Sequence, residues 1–416
     1  MNLAVVGAGI SGLATAYVLG RRHAVTVFEA ECDAGGHANT ATVIEGSRRL
    51  NIDTGFIVYN ETNYPMFCRL LADLHVNGQP SDMSFSVVCE KTGLEYCGTS
   101  LNTLFAQRLN LLSPKFWRML MDILRFNASR PSPDDLSRVD LTVAQYVSSK
   151  GYSRAFVENY LVPLGSSLWS CSSHQFRSFP ISFVVEFLEN HGMLRVMGRP
   201  QWLTVNGGSQ AYVREMSSRL GGDLVNGTPV RKLYRRPKGV DVELTNGHTH
   251  RFDEVILATH ADTSLDLVAD PDDLEAETLA CFPYQDNHIC LHTDTRVLPA
   301  RKPAWASWNY RIPPDHSGNV SISYNMNRLQ SLDAEKTYCV SLNQFTHIAP
   351  EHVIRQIKYR HPVFSFVRND AQSYHQQMLR RNRLSYCGAY WGHGFHEDGI
   401  RSGLAVATAF DIDPQF

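Results

Sequence analysis

The nine cysteines of this 416-residue chain never fall at CxxC spacing, which removes zinc-ribbon and thioredoxin-type readings. An excess of one charge is also missing. The formal net charge is −2, so the chain has no global pull toward nucleic acid, and none is expected as a partner. No window reaches the roughly 18 uncharged apolar residues of a membrane-spanning helix. Internal repeats and low-complexity tracts are absent. The apolar start, MNLAVVGAGISG, lacks the basic n-region of a secretory signal. Reduced thiols and a cytoplasmic location are therefore expected. What remains, 43% hydrophobic and 19% charged, reads as globular. Its length exceeds one ordinary compact core, so two intertwined domains are expected.

The opening residues carry the first positive signal. Leu3 to Val6 read as a buried parallel strand, followed by Gly7-Ala8-Gly9-Ile10-Ser11-Gly12 and a helical pattern through Leu13, Ala16, Tyr17 and Leu19. Gly7 permits the tight turn, Gly9 lets the backbone approach a pyrophosphate, and Gly12 lets helix and strand pack closely. The helix N-terminus, with Ile10 and Ser11, then faces the phosphates with its free N–H groups. A second strand, Ala24 to Phe28, ends at Glu29-Ala30, about 20 residues after the turn, where an acid can accept hydrogen bonds from ribose hydroxyls. Strand, glycines, helix, strand and acid in one unit define a Rossmann-type dinucleotide site.

Downstream lies Asp33-Ala34-Gly35-Gly36-His37, whose glycine pair again permits close approach to phosphate. Here the chain resembles the flavin-containing amine oxidase superfamily, in which a glycine doublet after the ribose acid belongs to the FAD motif. FAD is the cofactor this implies. An arginine commonly follows the doublet in that superfamily; His37 stands there instead, as a phosphate donor or a neighbour of the flavin. The resemblance implies an α/β fold: a Rossmann-type FAD-binding domain (glutathione-reductase-like, amine oxidase type) with an inserted α+β substrate domain.

Further segments fit that order. A strand-like stretch over residues 201–209 breaks at Gly207-Gly208, with a helix through Tyr212, Val213 and Met216. Residues 228–234 and 240–244 alternate as a hairpin would. Residues 253–259 read as another buried strand. The resemblance brings the backbone at Val230 to the adenine and the Ala258-Thr259 turn near the dinucleotide. Tyr386-Cys387-Gly388-Ala389-Tyr390, then Gly399 and a helical run from Ile400 to Phe410, resemble the C-terminal FAD motif. Gly388 would meet the ribitol phosphate, and a helix N-terminus at Gly399-Ile400 would supply positive potential to the flavin. The FAD-binding domain is thus expected over residues 1–75, 201–265 and 381–416, and the substrate domain over 76–200 and 266–380. Residues 101–127 read as two helices broken at Ser113-Pro114, with apolar stripes interrupted by Arg108, Lys115, Arg118 and Arg125. Such helices either rest on anionic lipid as a peripheral membrane contact or pack on the core with solvated basic edges.

Residues 53–60, 81–85, 190–192 and 305–310, together with Gly36-His37, resemble more closely a bacterial family of NAD/FAD-binding proteins associated with cyclopropane-fatty-acyl-phospholipid synthases. That resemblance implies an apolar or acyl-lipid substrate and a lipid-modifying methyltransferase as partner. Thr54, Gly55 and Phe56 are expected near the flavin ring, as are Tyr390, Trp391 and His393, with His396 beside them. Tyr390 and Trp391 would sandwich the substrate, and His393, flanked by glycines, is the candidate general acid/base. Many amine oxidases place a lysine near the flavin; the best matching strand here, residues 284–292, has none and offers Asn287 or His288. The sequence favours hydride removal from a fatty-acyl or similarly apolar substrate. Amine oxidation, double-bond isomerisation and a non-catalytic flavin-bearing role stay open.

Overall fold

The computed structural model describes residues 1–128, 141–195, 198–314 and 320–416. The opening strand, Asn2–Val6, is apolar enough to be buried on both faces. It sits at the centre of a five-stranded parallel sheet in the order 384–386, 254–257, 2–6, 24–28, 223–225. The helix Ile10–Leu19 follows, with every residue but Tyr17 buried. A helix apolar all round needs cover on both sides. The sheet gives one, and the C-terminal helix His396–Ala409 gives the other. Gly399 and Gly403, four residues apart, make the second contact close. A Cβ on Gly399 would lie 2.9 Å from Ile10 Cγ2 and Ser11 Oγ, and one on Gly403 only 2.6 Å from Thr15 Oγ1.

The expected hairpin is present as Val230–Arg236 against Gly239–Leu244, extended by a third antiparallel strand, Thr249–Phe252, that the polar pattern THRF did not reveal. The second large sheet has seven strands, in the order 353–362, 284–292, 339–342, 322–325, 308–312, 85–89, 94–97. Its inner face and the helices Val162–Trp169 and Ile181–Asn190 share one aromatic-rich core that includes Trp169, Phe179, Phe183, Phe187 and Phe364.

Buried polar groups tie segments distant in sequence together. Asp53 accepts bonds from Thr40 Oγ1 (2.6 Å), Ser209 N (2.8 Å), Ser209 Oγ (2.7 Å) and Gln330 Nε2 (3.0 Å). Its burial pushes the carboxyl up to about 6. Glu397 caps the helix Pro65–Asp73 by accepting from Met66 N and Phe67 N at 2.9 and 3.0 Å.

The segment 101–127 breaks at Ser113–Pro114 as expected. Its first half is a four-residue helix, Leu101–Leu104, and a 3₁₀ turn, Arg108–Leu112; the second half is the helix Pro114–Ala128. The expected C-terminal helix needs correction. It begins at His396, three residues before Gly399, so Gly399 and Ile400 lie inside it and the N-terminus belongs to His396 and Glu397.

Candidate active site

The glycine turn holds two kinds of glycine. At Gly12 an added Cβ would lie 1.9 Å from Gly7 O, so the missing side chain is what lets helix and strand meet. Gly9 has ordinary extended torsions (φ −72°, ψ −179°), and its Cβ would meet nothing within 4 Å. The fold itself does not need glycine there; the space beside Gly9 is free for a ligand. The doublet loop closes over the turn, with Gly35 N donating to Ala8 O at 2.8 Å. Glu29 is anchored at the end of the second strand, accepting from Ala8 N (2.7 Å) and Glu31 N (3.0 Å). Each carboxylate oxygen keeps lone-pair capacity for further donors.

A cavity of about 630 Å³ begins at this cradle. Its wall includes Gly7, Gly9, Ile10, Ser11, Glu29, Ala30, Gly35, Gly36 and His37, with Gly55 and Phe56, then Ala258, Thr259, Gly388, Tyr390 and His393. The structure therefore gathers residues from four separated stretches of chain around one space. Six expected residues do not line it. Gly12, Gly399 and Ile400 serve helix packing. Thr54 is buried, its hydroxyl bonded to Asn39 O (3.0 Å) and Tyr359 Oη (3.2 Å). Val230 starts the outer three-stranded sheet. Trp391 stacks on His375 with ring centroids 4.4 Å apart, so its place is behind the wall and not over a substrate.

Most of the remaining wall is aromatic and apolar, including Tyr64, Met83, Leu168, Trp169, Phe187, Met193, Trp202, Trp308, Tyr324, Phe364 and Phe395, with the hydroxyl residues Ser167, Ser170 and Thr263 among them. Among the described residues, the carboxylates lining the cavity are Glu29 and Glu31, both at the end of the second strand, beside the glycine cradle. Arg360, ion-paired to Asp262, is the cation that the described residues bring to the wall.

Histidines form the polar part, and hydrogen bonding fixes one of them. Asn343 Oδ1 accepts from the backbone N of His288 (2.9 Å), so Asn343 Nδ2 is the donor to Asn287 Oδ1 (2.8 Å). Asn287 Nδ2 then donates to Ser170 O (3.1 Å) and meets His361 Nδ1 at 2.8 Å. His361 Nδ1 must accept, which puts its proton on Nε2. Burial holds His361 down to about 4, so it is neutral at pH 7 and carries an N–H on the cavity wall. This corrects the reading of strand 284–292. Asn287 is buried and orients His361 on the neighbouring strand, whereas His288 is exposed against Phe345.

His37 lies between Tyr359 and His361, with centroids 4.7 and 5.3 Å away; burial, then His361 and His260, push it well below its ordinary value. His396 stacks on Phe56 at 3.5 Å, its Nε2 is 2.9 Å from Tyr212 Oη, and burial holds it at about 3. His393 is tilted against Phe183 at 4.9 Å, and burial lowers it against the pull of Asp398 and Glu186. Nε2 of His37 and Nδ1 of His393 are buried without a hydrogen-bond partner. Such nitrogens are costly unless a ligand satisfies them. Together with the free space at Gly9, they fit a bound dinucleotide and a substrate beside it.

Arg368, like His361, escaped sequence reasoning altogether. It is fully buried, and its Nη2 donates to Tyr390 O (3.0 Å) and Gly392 O (2.5 Å). Gln372 donates to the same two carbonyls at 2.8 and 2.7 Å. The guanidinium lies 3.7 Å from the Phe364 ring, and burial pulls it down to about 9, still a cation at pH 7. It braces the loop that presents His393. In sequence it is one more arginine on a short helix.

A parallel βαβ dinucleotide cradle, joined to a second sheet that walls an apolar cavity, is the architecture of a two-domain flavin oxidoreductase. The chain belongs to the flavin-containing amine oxidoreductase family, whose profile matches residues 10–410. It is a flavin-dependent oxidoreductase with FAD as its cofactor. Among solved structures it is similar to a CLA-producing fatty acid isomerase from P. acnes (15% identity, TM-score 0.70, 99% of each chain covered). It is also similar to putrescine oxidase bound to putrescine (15%, TM-score 0.67, 99% of this chain and 98% of that). Cyclohexylamine oxidase from Brevibacterium oxydans IH-35A is comparable (16%, TM-score 0.65, 98% of each chain). At such identities the likeness carries the fold. No curated protein sequence matches the chain.

Proposed function

We propose that this flavoenzyme removes hydride from a fatty-acyl or similarly apolar lipid substrate. The observation that carries the reading is the wall of the cavity away from the dinucleotide cradle: mostly aromatic and apolar, with uncharged histidines, an Arg360 already ion-paired to Asp262 and, among the described residues, no carboxylate. An ammonium substrate brought into such a space would lose its hydration without gaining a counter-charge, whereas a hydrocarbon gains on transfer. The structural neighbours act on both kinds of compound, a fatty acid in one case and amines in two, so the fold leaves the choice to the lining.

Bound FAD supplies the two-electron acceptor for the hydride. Trp169, Phe187, Phe364 and Phe395 exclude water and hold the chain, and neutral His393 takes the proton lost from the neighbouring carbon. The His361 N–H offers a fixed donor at the same wall. The resemblance to proteins associated with cyclopropane-fatty-acyl-phospholipid synthases extends the proposal to phospholipid acyl chains, with a lipid-modifying methyltransferase as partner. The similarity to a fatty acid isomerase supports a second outcome, in which the hydride returns and only a double bond moves.

The test is anaerobic mixing of the yellow protein with an unsaturated fatty acid or phospholipid, and separately with putrescine and cyclohexylamine. Bleaching near roughly 450 nm by the lipid alone is expected. Lipid turnover that moves a double bond without net bleaching or oxygen use selects isomerisation. Bleaching by the amines alone overturns the proposal.

A further inference from the structure

Seven of the twelve large hydrophobic side chains that the described residues leave exposed fall between positions 101 and 124. Six of them belong to the 3₁₀ turn Arg108–Leu112 and the helix Pro114–Ala128: Leu109 (74% exposed), Leu111, Leu112 (82%), Trp117, Met121 and Leu124. On the helix, Trp117, Met121 and Leu124 follow i, i+4, i+7 spacing and share an arc of about 60°. The opposite face, with Phe116, Met119 and Phe126, fills the aromatic core. Turn and helix are locked together, since Trp117 Nε1 donates to Leu111 O at 2.9 Å and the Phe105 and Trp117 rings lie 5.5 Å apart. This is therefore a built surface with hydrocarbon on its outside. Its area is of the order of several hundred Å², at the upper end of what a monomer leaves open.

Over the described residues 98–128 the exposed charges have one sign. Arg108, Lys115 and Arg118 are exposed, and Arg125 sits beside them over Tyr152. The only acid between positions 98 and 128, Asp122, is buried, accepting from Ser153 N (2.9 Å) and pairing with Arg118 and Arg125. The protein as a whole has a net charge of −2, so this segment is a local basic reversal. A twofold contact between copies would set basic rim against basic rim, which opposes self-association. An apolar arc containing tryptophan, rimmed by arginine and lysine, matches the chemistry of an anionic bilayer surface.

We propose that the turn Arg108–Leu112 and the outer face of the helix Pro114–Ala128 form a docking surface for anionic phospholipid membranes, with the side chains entering only the interfacial layer. Among the described residues no helix is long and apolar enough to cross a membrane. This attachment is independent of the substrate reading, because vesicle binding is measured without turnover.

The experiment is co-sedimentation of the FAD-loaded full chain with vesicles of phosphatidylcholine alone or mixed with phosphatidylglycerol. The expected result is binding to the mixed vesicles that weakens with salt, and little to the neutral ones. The L109S/L112S variant should lose affinity about tenfold or more, and Lys115→Glu about tenfold. Both should keep the wild-type flavin spectrum and melting temperature, since these side chains are exposed. Three results would overturn the proposal: no binding to anionic vesicles, binding unchanged in both variants, or a dimer in light scattering that the double variant dissolves.

Discussion

Replacing Gly9 by valine separates what the glycine turn does for the fold from what it does for the cofactor. At this position φ is −72° and ψ −179°, and no atom lies within 4 Å of where Cβ would stand. Valine tolerates those torsions, and the loss of glycine entropy in the unfolded chain (0.4 to about 1 kcal/mol gained) roughly offsets the poorer helix N-cap (about 1 kcal/mol lost). The apoprotein should melt within about 3 °C of wild type. If the pyrophosphate lies against this turn, the valine methyls occupy its space. Losing two charge-assisted bonds at roughly 1.5–3 kcal/mol each weakens FAD by about 10²- to 10⁴-fold. Gly12→Ala is the control: its Cβ lands 1.9 Å from Gly7 O, and overpacking of that kind costs about 1–3 kcal/mol or more. The assay pairs apoprotein melting with FAD titration by visible absorbance. A Gly9→Val protein that binds FAD with wild-type affinity, or whose apoprotein melts far lower, refutes this assignment of the turn.

Three further predictions concern the histidines. His393→Ala should keep the yellow colour and lower kcat by about 10²-fold or more. Because burial lowers the His393 pKa, wild-type kcat/KM should rise with pH below 6.5 and be flat at 7; an inflection above 7 removes the residue from the base role. In the wild-type apoprotein, histidine ¹⁵N spectra should show His361 protonated on Nε2, and Asn287→Ala should release a mixture of tautomers. A wild-type Nδ1–H signal contradicts the hydrogen-bond chain. His292 is fully buried, accepts from Asp294 N at 3.1 Å, and is held at about 4. Between pH 6.5 and 4 the unfolded chain binds the extra proton, so stability falls as pH falls through that window, by about 3 kcal/mol for this group. The urea midpoint should track that fall, less steeply in His292→Gln; a midpoint constant over the window refutes it.

The Rossmann-type half of the fold was open to reading because such a unit is built from local backbone. Gly7, Gly9, Gly12, Glu29 and the 35–36 doublet stand at fixed spacings on one local unit, and local units leave periodic traces. The same habit produced an error at Gly399. A glycine near a helix start resembles a cofactor contact, but here it belongs to a pair with Gly403 that packs on Ser11 and Thr15, and neither partner is local in sequence. The substrate half depends on long-range register. His361 acquires its orientation because Asn287 lies on the adjacent strand, where Gln285 pairs with His361 and Asn287 with Tyr359. No spacing within 353–362 contains that. Tyr390 and Trp391 are adjacent in sequence yet diverge, one to the cavity wall and one to His375, because the backbone turns at 389–391. Arg368 carried no signal, since its role comes from two carbonyls more than twenty residues away.

The most direct measurement is a crystal structure of the protein with FAD and an acyl ligand soaked together. The account predicts the pyrophosphate against the Gly9–Ser11 backbone, the ribose on Glu29, and the hydrocarbon between Trp169 and Phe364 with His393 alongside. FAD found elsewhere, or the acyl chain outside that aromatic lobe while an amine occupies it, would contradict the account.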